Sequence, residues 1–200
     1  MVVSSAITIG QLVTATLAAY AFAFLRFPGR NALFIVFLAT MMVPLEVAII
    51  PNFQTMQWLG WTDTYQGLVA PFLATGFGTF LLRQYFLTIP RELRDAAEID
   101  GYGDLRFLLF VVVPLARGAL ATLAIFAFLQ AWNQYLWPLL VTNDADMRTV
   151  QIGVASEAAN LSEINRAFAG TIVSFLPMLL LVVVFQRYLV RGLFGGALKG

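Results

Sequence analysis

Five long apolar segments separated by short polar ones run the length of this 200-residue chain. A helix that crosses a bilayer needs about 20 mostly apolar residues, and each segment comes close to that length. The segments are residues 2–25, 32–50, 65–82, 118–141 and 167–190. The pattern predicts an all-α fold, a polytopic bundle of five transmembrane helices that forms a single domain over residues 1–200.

Two prolines set a local expectation within the second predicted span. Pro44 is expected to interrupt this span and Pro51 to close it, because proline lacks the N–H that a helix interior needs. Residues 52–63 are then predicted to form a polar and aromatic loop. A second polar loop is predicted over residues 142–166, which contain four acidic side chains.

The segment between the third and fourth predicted spans, called the 89–114 loop below, concentrates the charge of the chain. Eight charged residues lie between Arg91 and Arg106. The sequence predicts a short helix, a turn and a second short helix here. Gly101 and Gly103 are placed to make the turn, because glycine accepts the positive φ that often ends a helix.

The composition supports a membrane protein and excludes several kinds of chemistry. The chain is 60% hydrophobic with a mean hydropathy of +0.82. It is 12% charged, where soluble domains are about 25% charged. It has no cysteine and no histidine, which excludes disulfides, thiolate or imidazole metal sites and Ser–His or Cys–His catalysis. Its net charge of +1 argues against a nucleic-acid partner, and neither a metal nor a cofactor is expected.

The distribution of basic residues predicts the orientation in the membrane. Cytoplasmic loops carry an excess of Lys and Arg. If the 89–114 loop is cytoplasmic, ten basic residues lie on that side and only Arg148 and Arg166 lie on the other. The C-terminus is then cytoplasmic and Met1 lies outside. No charge precedes the first span to direct such an insertion, so we expect that an upstream span is missing from this chain.

Two groups of polar residues near the outer ends of the spans have two interpretations each. Glu46 lies within a span, where a carboxylate is costly, and it either reaches water at the interface or lines a translocation path. Trp132, Asn133 and Trp137 either form an interfacial aromatic belt or offer ring faces and an amide to a sugar.

The strongest family resemblance lies in the 89–114 loop. Residues 95–101 read Asp-Ala-Ala-Glu-Ile-Asp-Gly, and Pro114 follows. This segment resembles the EAA loop of binding-protein-dependent ABC-transporter permeases, with Asp95 where the family has Glu. RFPGRNALF (26–34), MMVPLEVAIIP (41–51), GTFLLRQYF (78–86), WNQYLWPLL (132–140) and QRYLVRGLFGGALKG (186–200) also resemble the maltose-type carbohydrate permeases and their glycerol-3-phosphate subgroup.

The resemblance implies a type I ABC importer permease fold, normally of six spans, in a bacterial inner membrane. It implies that the 89–114 loop docks on a cytoplasmic ATPase. The expected docking residues are Asp95, Ala96, Ala97, Asp100, Gly101 and Pro114. The expected partners are an ATPase dimer, a second and distinct permease subunit, an extracytoplasmic solute-binding protein and membrane lipid. The expected substrate is a sugar or a related polyol or glycerol phosphate, carried by alternating access.

Three alternatives remain open at the level of the sequence. A secondary transporter or channel would rely on intramembrane charges or repeats, of which Glu46 is the one candidate. An intramembrane enzyme would need a catalytic group of residues, and none is evident. The chain has no G-x-x-x-x-G-K-[ST] motif, so ATP hydrolysis requires another subunit. A truncated, non-functional permease is the third alternative.

Overall fold

The computed structural model describes residues 1–159 and 164–194, with only the backbone described for Leu45, Ile164 and residues 186–194. The end of the predicted basic tail, with Lys199, and Glu163 of the predicted polar loop lie outside the described residues. The described part of the chain contains helices and no strand. The α-helices are α1 Val2–Phe24, α2 Arg30–Ala39, α3 Leu45–Trp58, α4 Tyr65–Val69, α5 Gly76–Phe86, α6 Glu92–Ile99, α7 Asp104–Phe107, α8 Val113–Leu115, α9 Arg117–Trp132, α10 Leu136–Val141, α11 Val150–Ala158 and α12 Ile164–Phe194.

Two of these helices are long and apolar enough to cross a membrane by themselves. They are α1 and the part of α12 from Asn165 to Phe185. Three pairs of shorter helices each pass the same test when both members are counted as one bent span. Between two and five spans are therefore compatible with the helices of the described residues.

The second predicted span differs from the structure at one of its two prolines. The chain leaves the helical conformation at Pro44, which has φ −60° and ψ 138° and immediately precedes α3. Pro51 does not end the helix as predicted, because α3 continues through it to Trp58. Much of the predicted loop over residues 52–63 is therefore helical. A proline inside a helix removes one N–H, and the remaining backbone bonds carry the helix past it.

The fourth predicted span is also divided. Helix α9 ends at Trp132, residues 133–135 are not helical, and α10 begins at Leu136. The predicted polar loop that follows contains a 3₁₀ turn, Ala145–Met147, and helix α11. The apolar run predicts one continuous span because residues 133–135 contain no glycine or proline, although Pro138 follows three residues later.

The chain forms two compact units, and the first contains the 89–114 loop. This loop unit comprises residues 9–42, 74–124 and the described part of residues 187–200. Its core is made of buried side chains from α1, α5, α6 and the segments after α7, among them Phe86, Ala97 and Val112. The ring of Phe24 packs edge-on against that of Phe107, with ring centroids 5.5 Å apart.

The second unit has a smaller core of buried side chains, which is built around an aromatic residue. This aromatic unit comprises residues 1–8, 43–73 and the described part of residues 125–186. Met56, Trp137 and Val141 are buried together at its centre. The Trp137 ring lies edge-on to Phe72 at 5.9 Å, and its indole N–H donates to the Gly67 carbonyl at 3.0 Å.

An irregular helix follows α7 within the loop unit. Residues Leu108–Val112 form a π-helical turn, which continues into α8 with Pro114 at its centre. The segment from Asp104 to Leu115 then meets α9 at a bend of 81°. The Tyr85 hydroxyl donates to the Leu115 carbonyl at 2.9 Å, which supplies a partner to a carbonyl left at the bend.

Candidate functional site

The 89–114 loop forms the predicted helix, turn and second helix. Helix α6 ends at Ile99, and Gly101 adopts φ +78°. The Tyr102 amide donates to the Ala97 carbonyl at 2.8 Å, and the Gly101 amide donates to the Glu98 carbonyl at 3.0 Å. These two bonds with a left-handed glycine form a Schellman motif, which satisfies the carbonyls at the end of α6. A Cβ at Gly101 would have no neighbour within 4 Å, so no steric clash requires glycine there. The requirement comes from the positive φ of the backbone.

The predicted docking residues of α6 divide between two faces. Asp95, Ala96 and Asp100 are exposed. Ala97 is buried in the core of the loop unit, so its small side chain fits packing within this chain. Apolar side chains accompany the exposed acids, and Ile99 is 86% exposed. The exposed face of α6 and its turn therefore presents acids together with alanine and isoleucine.

Pro114 belongs to a different helix from Asp95, Ala96 and Ala97. It is the middle residue of α8, which follows the π-helical turn. The 81° bend lies between Leu115, the next residue, and Arg117. Its missing N–H weakens the helix at this point. Pro114 therefore lies where the chain bends before α9. Asp95 and Asp100 instead lie on the exposed surface of α6 and its turn.

The side chain of Arg94 points from α6 toward two other helices. Its Nη1 donates to the Phe24 carbonyl at 3.1 Å, its Nη2 to Asp104 Oδ1 at 2.9 Å and its Nε to Glu98 Oε1 at 3.0 Å. Burial acts to lower the pKa of Arg94, but the Glu98 hydrogen bond and the nearby Asp104 charge outweigh it and raise that pKa. The guanidinium is therefore a fixed positive charge among three acceptors.

A cavity of about 880 Å³ lies between α6 and the turn that joins α1 to α2. Its charged lining consists of Arg26, Arg30, Arg91, Arg94, Asp95 and Glu98. Arg30 is partly held, because its Nη1 donates to the Leu25 carbonyl at 3.1 Å. The cavity brings the exposed acid Asp95 together with the basic turn, which gives this end of the loop unit a mixed, polar surface.

The candidate substrate-path residues are only partly brought together. Glu46 and Trp137 line one cavity of about 170 Å³ in the aromatic unit, together with Asn52, Gln134 and Tyr135. Trp132 and Asn133 do not line it. The Trp132 indole donates to the Ser174 carbonyl at 3.0 Å, and the Asn133 amide donates to the Leu129 carbonyl at 2.9 Å. Trp132 is buried, so its bond favours a packing role, whereas Asn133 is exposed and its amide caps the end of α9.

Sequence reasoning missed Asn52 as a cavity residue and gave no role to Arg94, Tyr20 or Asp104. The spacing of Arg94 and Glu98, four residues apart on one helix, was a usable signal for an ion pair. The contact between the Tyr20 hydroxyl and Asp104 at 2.7 Å had no local signal. Within the described residues, no group of three or more acidic side chains could hold a metal ion.

A further contact fixes the loop after α3. Asp63 has φ +54°, and its Oδ1 accepts from the backbone amides of Asn143 and Asp144 at 2.5 and 2.8 Å. The Asp63 amide in turn donates to the Val141 carbonyl at 2.9 Å. The amides of Asp144 and Asn143 hold the pKa of Asp63 below its ordinary value. This carboxylate therefore joins two loops of the aromatic unit.

Three comparisons relate the chain to known proteins. Residues 11–195 match the family described as binding-protein-dependent transport system inner membrane component. The sn-glycerol-3-phosphate transport system permease protein UgpE of Yersinia enterocolitica serotype O:8 is 42% identical over 195 residues, which are 96% of this chain and 69% of that protein. UgpE of Brucella abortus strain 2308 is similar to the same extent.

A solved structure shares the fold. It is a bacterial ABC transporter involved in the import of the acidic polysaccharide alginate, with a TM-score of 0.75 and 26% sequence identity. The likeness covers 93% of this chain and 74% of the matched chain.

Proposed function

Because this chain belongs to the family of inner membrane components of binding-protein-dependent transport systems, we propose that its 89–114 loop transmits the work of a cytoplasmic ATPase to the membrane helices. The expected family and the all-α permease fold are confirmed. The chain is a membrane-spanning permease subunit of an ABC importer, and ATP is hydrolysed by a separate subunit. An ATPase and a binding protein are its partners as a member of this family.

The single observation that carries the proposal is the form of α6 in the 89–114 loop. It is a short helix, held at its end by the Schellman motif and exposed along the face that carries Asp95, Ala96 and Asp100. Its buried face, with Ala97, is anchored in the core of the loop unit. Such a helix can receive a partner on one side and pass a displacement to the core on the other.

The proposed substrate is a small polyhydroxylated solute, a sugar or a related polyol or glycerol phosphate. The cavity lined by Glu46, Asn52, Gln134 and Trp137 supports this class, because carboxylate and amide groups bind hydroxyls and an aromatic face packs on a sugar ring. The named relatives transport sn-glycerol-3-phosphate. Among the described side chains, no basic one lines this cavity, so a phosphate group of the substrate would be held by other residues or by the second permease.

We extend the proposal to assembly and orientation. In the predicted topology, ten of the twelve basic residues of the sequence fall on the side of the 89–114 loop, which supports a cytoplasmic C-terminus and contact of that side with lipid headgroups. The similarity to the carbohydrate-type permeases supports a heterodimer with a second, distinct permease subunit.

The first experiment tests docking of the 89–114 loop. The chain is purified with its ATPase and partner permease, and the ATPase recovered per permease is measured for Asp95→Arg and for Asp146→Arg. Both are exposed acids, and Asp146 lies in the loop after α10. Asp95→Arg should reduce ATPase recovery at least about tenfold, because a reversed charge in a desolvated contact is repelled. Equal recovery for the two variants would contradict the docking proposal.

The second experiment tests the substrate cavity. Uptake of labelled glycerol-3-phosphate and of a neutral disaccharide is measured in proteoliposomes that contain the complete transporter. Glu46→Gln should raise the substrate concentration needed for half-maximal uptake, and Asn133→Ala, outside the cavity, should leave it unchanged. Uptake that follows an ion gradient without ATP would instead identify a secondary transporter.

A further inference from the structure

We propose that Arg94 is a positioning residue that couples α6 mechanically to the end of α1 and to the start of α7. The inference rests on the proposed function of the 89–114 loop and adds to it the identity of the group that passes the movement on. The exposed face of α6 would receive the partner, and Arg94 would carry the displacement to the first long apolar helix.

The geometry gives Arg94 contacts on three helices. Nη1 reaches the carbonyl of Phe24, the last residue of α1 and 70 residues earlier in the chain. Nη2 reaches Asp104 in the first turn of α7. Nε is held by Glu98 one turn along α6, which fixes the plane of the guanidinium. A movement of α6 therefore changes the bonds to Phe24 and Asp104 together, while the bond to Glu98 lies within α6 and moves with it.

The two distant acceptors are helix ends, where backbone and charge favour these partners. The last carbonyls of a helix lack partners within the helix, and a cation near them is favoured by the helix dipole. Phe24 is such a position. Asp104 lies at the opposite kind of end, the start of a helix, where an acidic side chain is favoured. Arg94 links the two ends by a single planar group.

Arginine is suited to this role in a way that lysine is not. The guanidinium has five N–H donors in a fixed plane, so it can bind three acceptors in different directions at once. An ammonium group is a compact point charge on a flexible stem. Arg94→Lys is therefore expected to keep the attraction to the acids and to lose the simultaneous contact with the Phe24 carbonyl.

The surroundings of Arg94 support a role in passing on the movement of α6, and not merely a charged side chain that is solvated at the surface. The side chain is 25% exposed, whereas Glu98 and Asp104 are 59% and 53% exposed. Asp104 Oδ1 also accepts the Tyr20 hydroxyl at 2.7 Å, so the same oxygen binds α6 and a second position on α1. Arg91, three residues earlier on the loop, is exposed and makes no ion pair within the described residues, which provides a matched control.

The test uses the complete transporter with its ATPase, partner permease and binding protein in proteoliposomes. The ATP hydrolysed per substrate molecule transported is measured for wild type, Arg94→Ala, Arg94→Lys and Arg91→Ala. Arg94→Ala should keep normal ATPase recovery and hydrolysis while transport falls, which raises the ratio about tenfold, as expected for loss of hydrogen bonds between charged groups. The ratio for Arg94→Lys should lie between those of wild type and Arg94→Ala, and the ratio for Arg91→Ala should equal that of wild type.

Two outcomes would overturn the inference. The first is a wild-type ratio for Arg94→Ala with both rates unchanged. The second is a wild-type ratio that arises because hydrolysis and transport fall in parallel, as a merely structural role would give. If Arg94→Ala does not assemble, Asp104→Asn weakens the same link without removing a side chain, and it should raise the ratio in the same direction. A wild-type Asp104→Asn ratio would then also overturn the inference. Failure of the proposed function would look different, because Asp95→Arg would then retain its ATPase.

Discussion

The hydroxyl of Tyr20 donates a 2.7 Å hydrogen bond to Oδ1 of Asp104, 84 residues further along the chain. The bond connects a buried position on α1 with the start of α7. A tyrosine hydroxyl in an apolar helix needs a partner when it is removed from water. Asp104 supplies that partner from outside the helix, so the last turns of α1 and the 89–114 loop are stabilised by one shared carboxylate.

Removal of the Tyr20 hydroxyl should lower the stability of the loop unit. Tyr20→Phe keeps the ring contacts with Phe24 and Phe107 and removes only the hydrogen bond. The expected loss is about 1–2 kcal/mol, because the acceptor is charged and the donor is buried. Thermal unfolding in detergent, followed by the circular dichroism of the helices, measures it, because the four tryptophans all lie in the aromatic unit. Tyr65→Phe, at a tyrosine that is 53% exposed, should show no loss, and equal shifts in the two variants would contradict the prediction.

The turn after α6 should accept asparagine better than valine at Gly101. No atom lies within 4 Å of an added Cβ, so the cost comes from the positive φ alone and not from a clash. It is about 1–2 kcal/mol for ordinary residues and less for asparagine. ATPase recovery should thus follow the order Gly, Asn, Val. Gly103→Ala is the control, because Gly103 has φ −79° and equally open surroundings. If Gly103→Ala lowered ATPase recovery as much as Gly101→Val does, the positive φ of Gly101 would not be the cause of the loss.

A methyl group at Gly67 should destabilise the aromatic unit. Its Cβ would overlap the Trp61 carbonyl oxygen and lie 3.1 Å from a methyl of Val141. Overpacking of this kind costs about 1–3 kcal/mol. Gly153→Ala, on an exposed position of α11 with nothing near its Cβ, should instead stabilise the helix by about 0.5–1 kcal/mol. Unfolding temperatures of the two variants should therefore move in opposite directions, and movement in the same direction would refute the account.

The loop contact of Asp63 should weaken in acid. Its pKa is lower in the folded protein than in the unfolded chain, where it is about 3.9. The contact is therefore fully present above that value and is lost as the pH falls through the lower folded pKa. Amide hydrogen exchange of Asn143 and Asp144 should show protection at about pH 7 that declines at a pH below the folded pKa of Asp63. Asp63→Ala should lack the protection at both pH values, and full protection in that variant would contradict the prediction.

Local patterns were sufficient to predict the 89–114 loop. Its charges, its two glycines and its acidic motif all lie within a few residues of one another, so the helix, turn and helix could be read from the sequence. Local patterns were also sufficient to place the interruption at Pro44. They failed at Pro51, because the cost of one lost N–H was overestimated in a helix that the rest of the chain sustains.

Long-range contacts account for what the sequence could not predict. Arg94 finds the Phe24 carbonyl, and Trp137 finds the Gly67 carbonyl, each across 70 residues. The sequence shows an arginine and a tryptophan near the ends of apolar segments, and each has N–H groups to donate. The acceptor in each case is a backbone carbonyl, which every residue carries, so the sequence does not indicate which one is used. The sequence therefore identified Trp137 as a candidate for two roles and could not choose its partner.

The π-helical turn at residues 108–112 determines which side of the following helix faces the core. A π turn holds one residue more than an α turn, and each residue of an α-helix advances the chain by about 100° around the axis. Deletion of a single residue from this turn would convert it to ordinary α-helix and rotate Pro114 and the rest of α8 by that angle about the helix axis. Because α9 begins beyond a bend of 81°, the same rotation would redirect the start of α9, although every side chain would be retained. The extra residue thus sets the direction of the chain where it leaves the 89–114 loop.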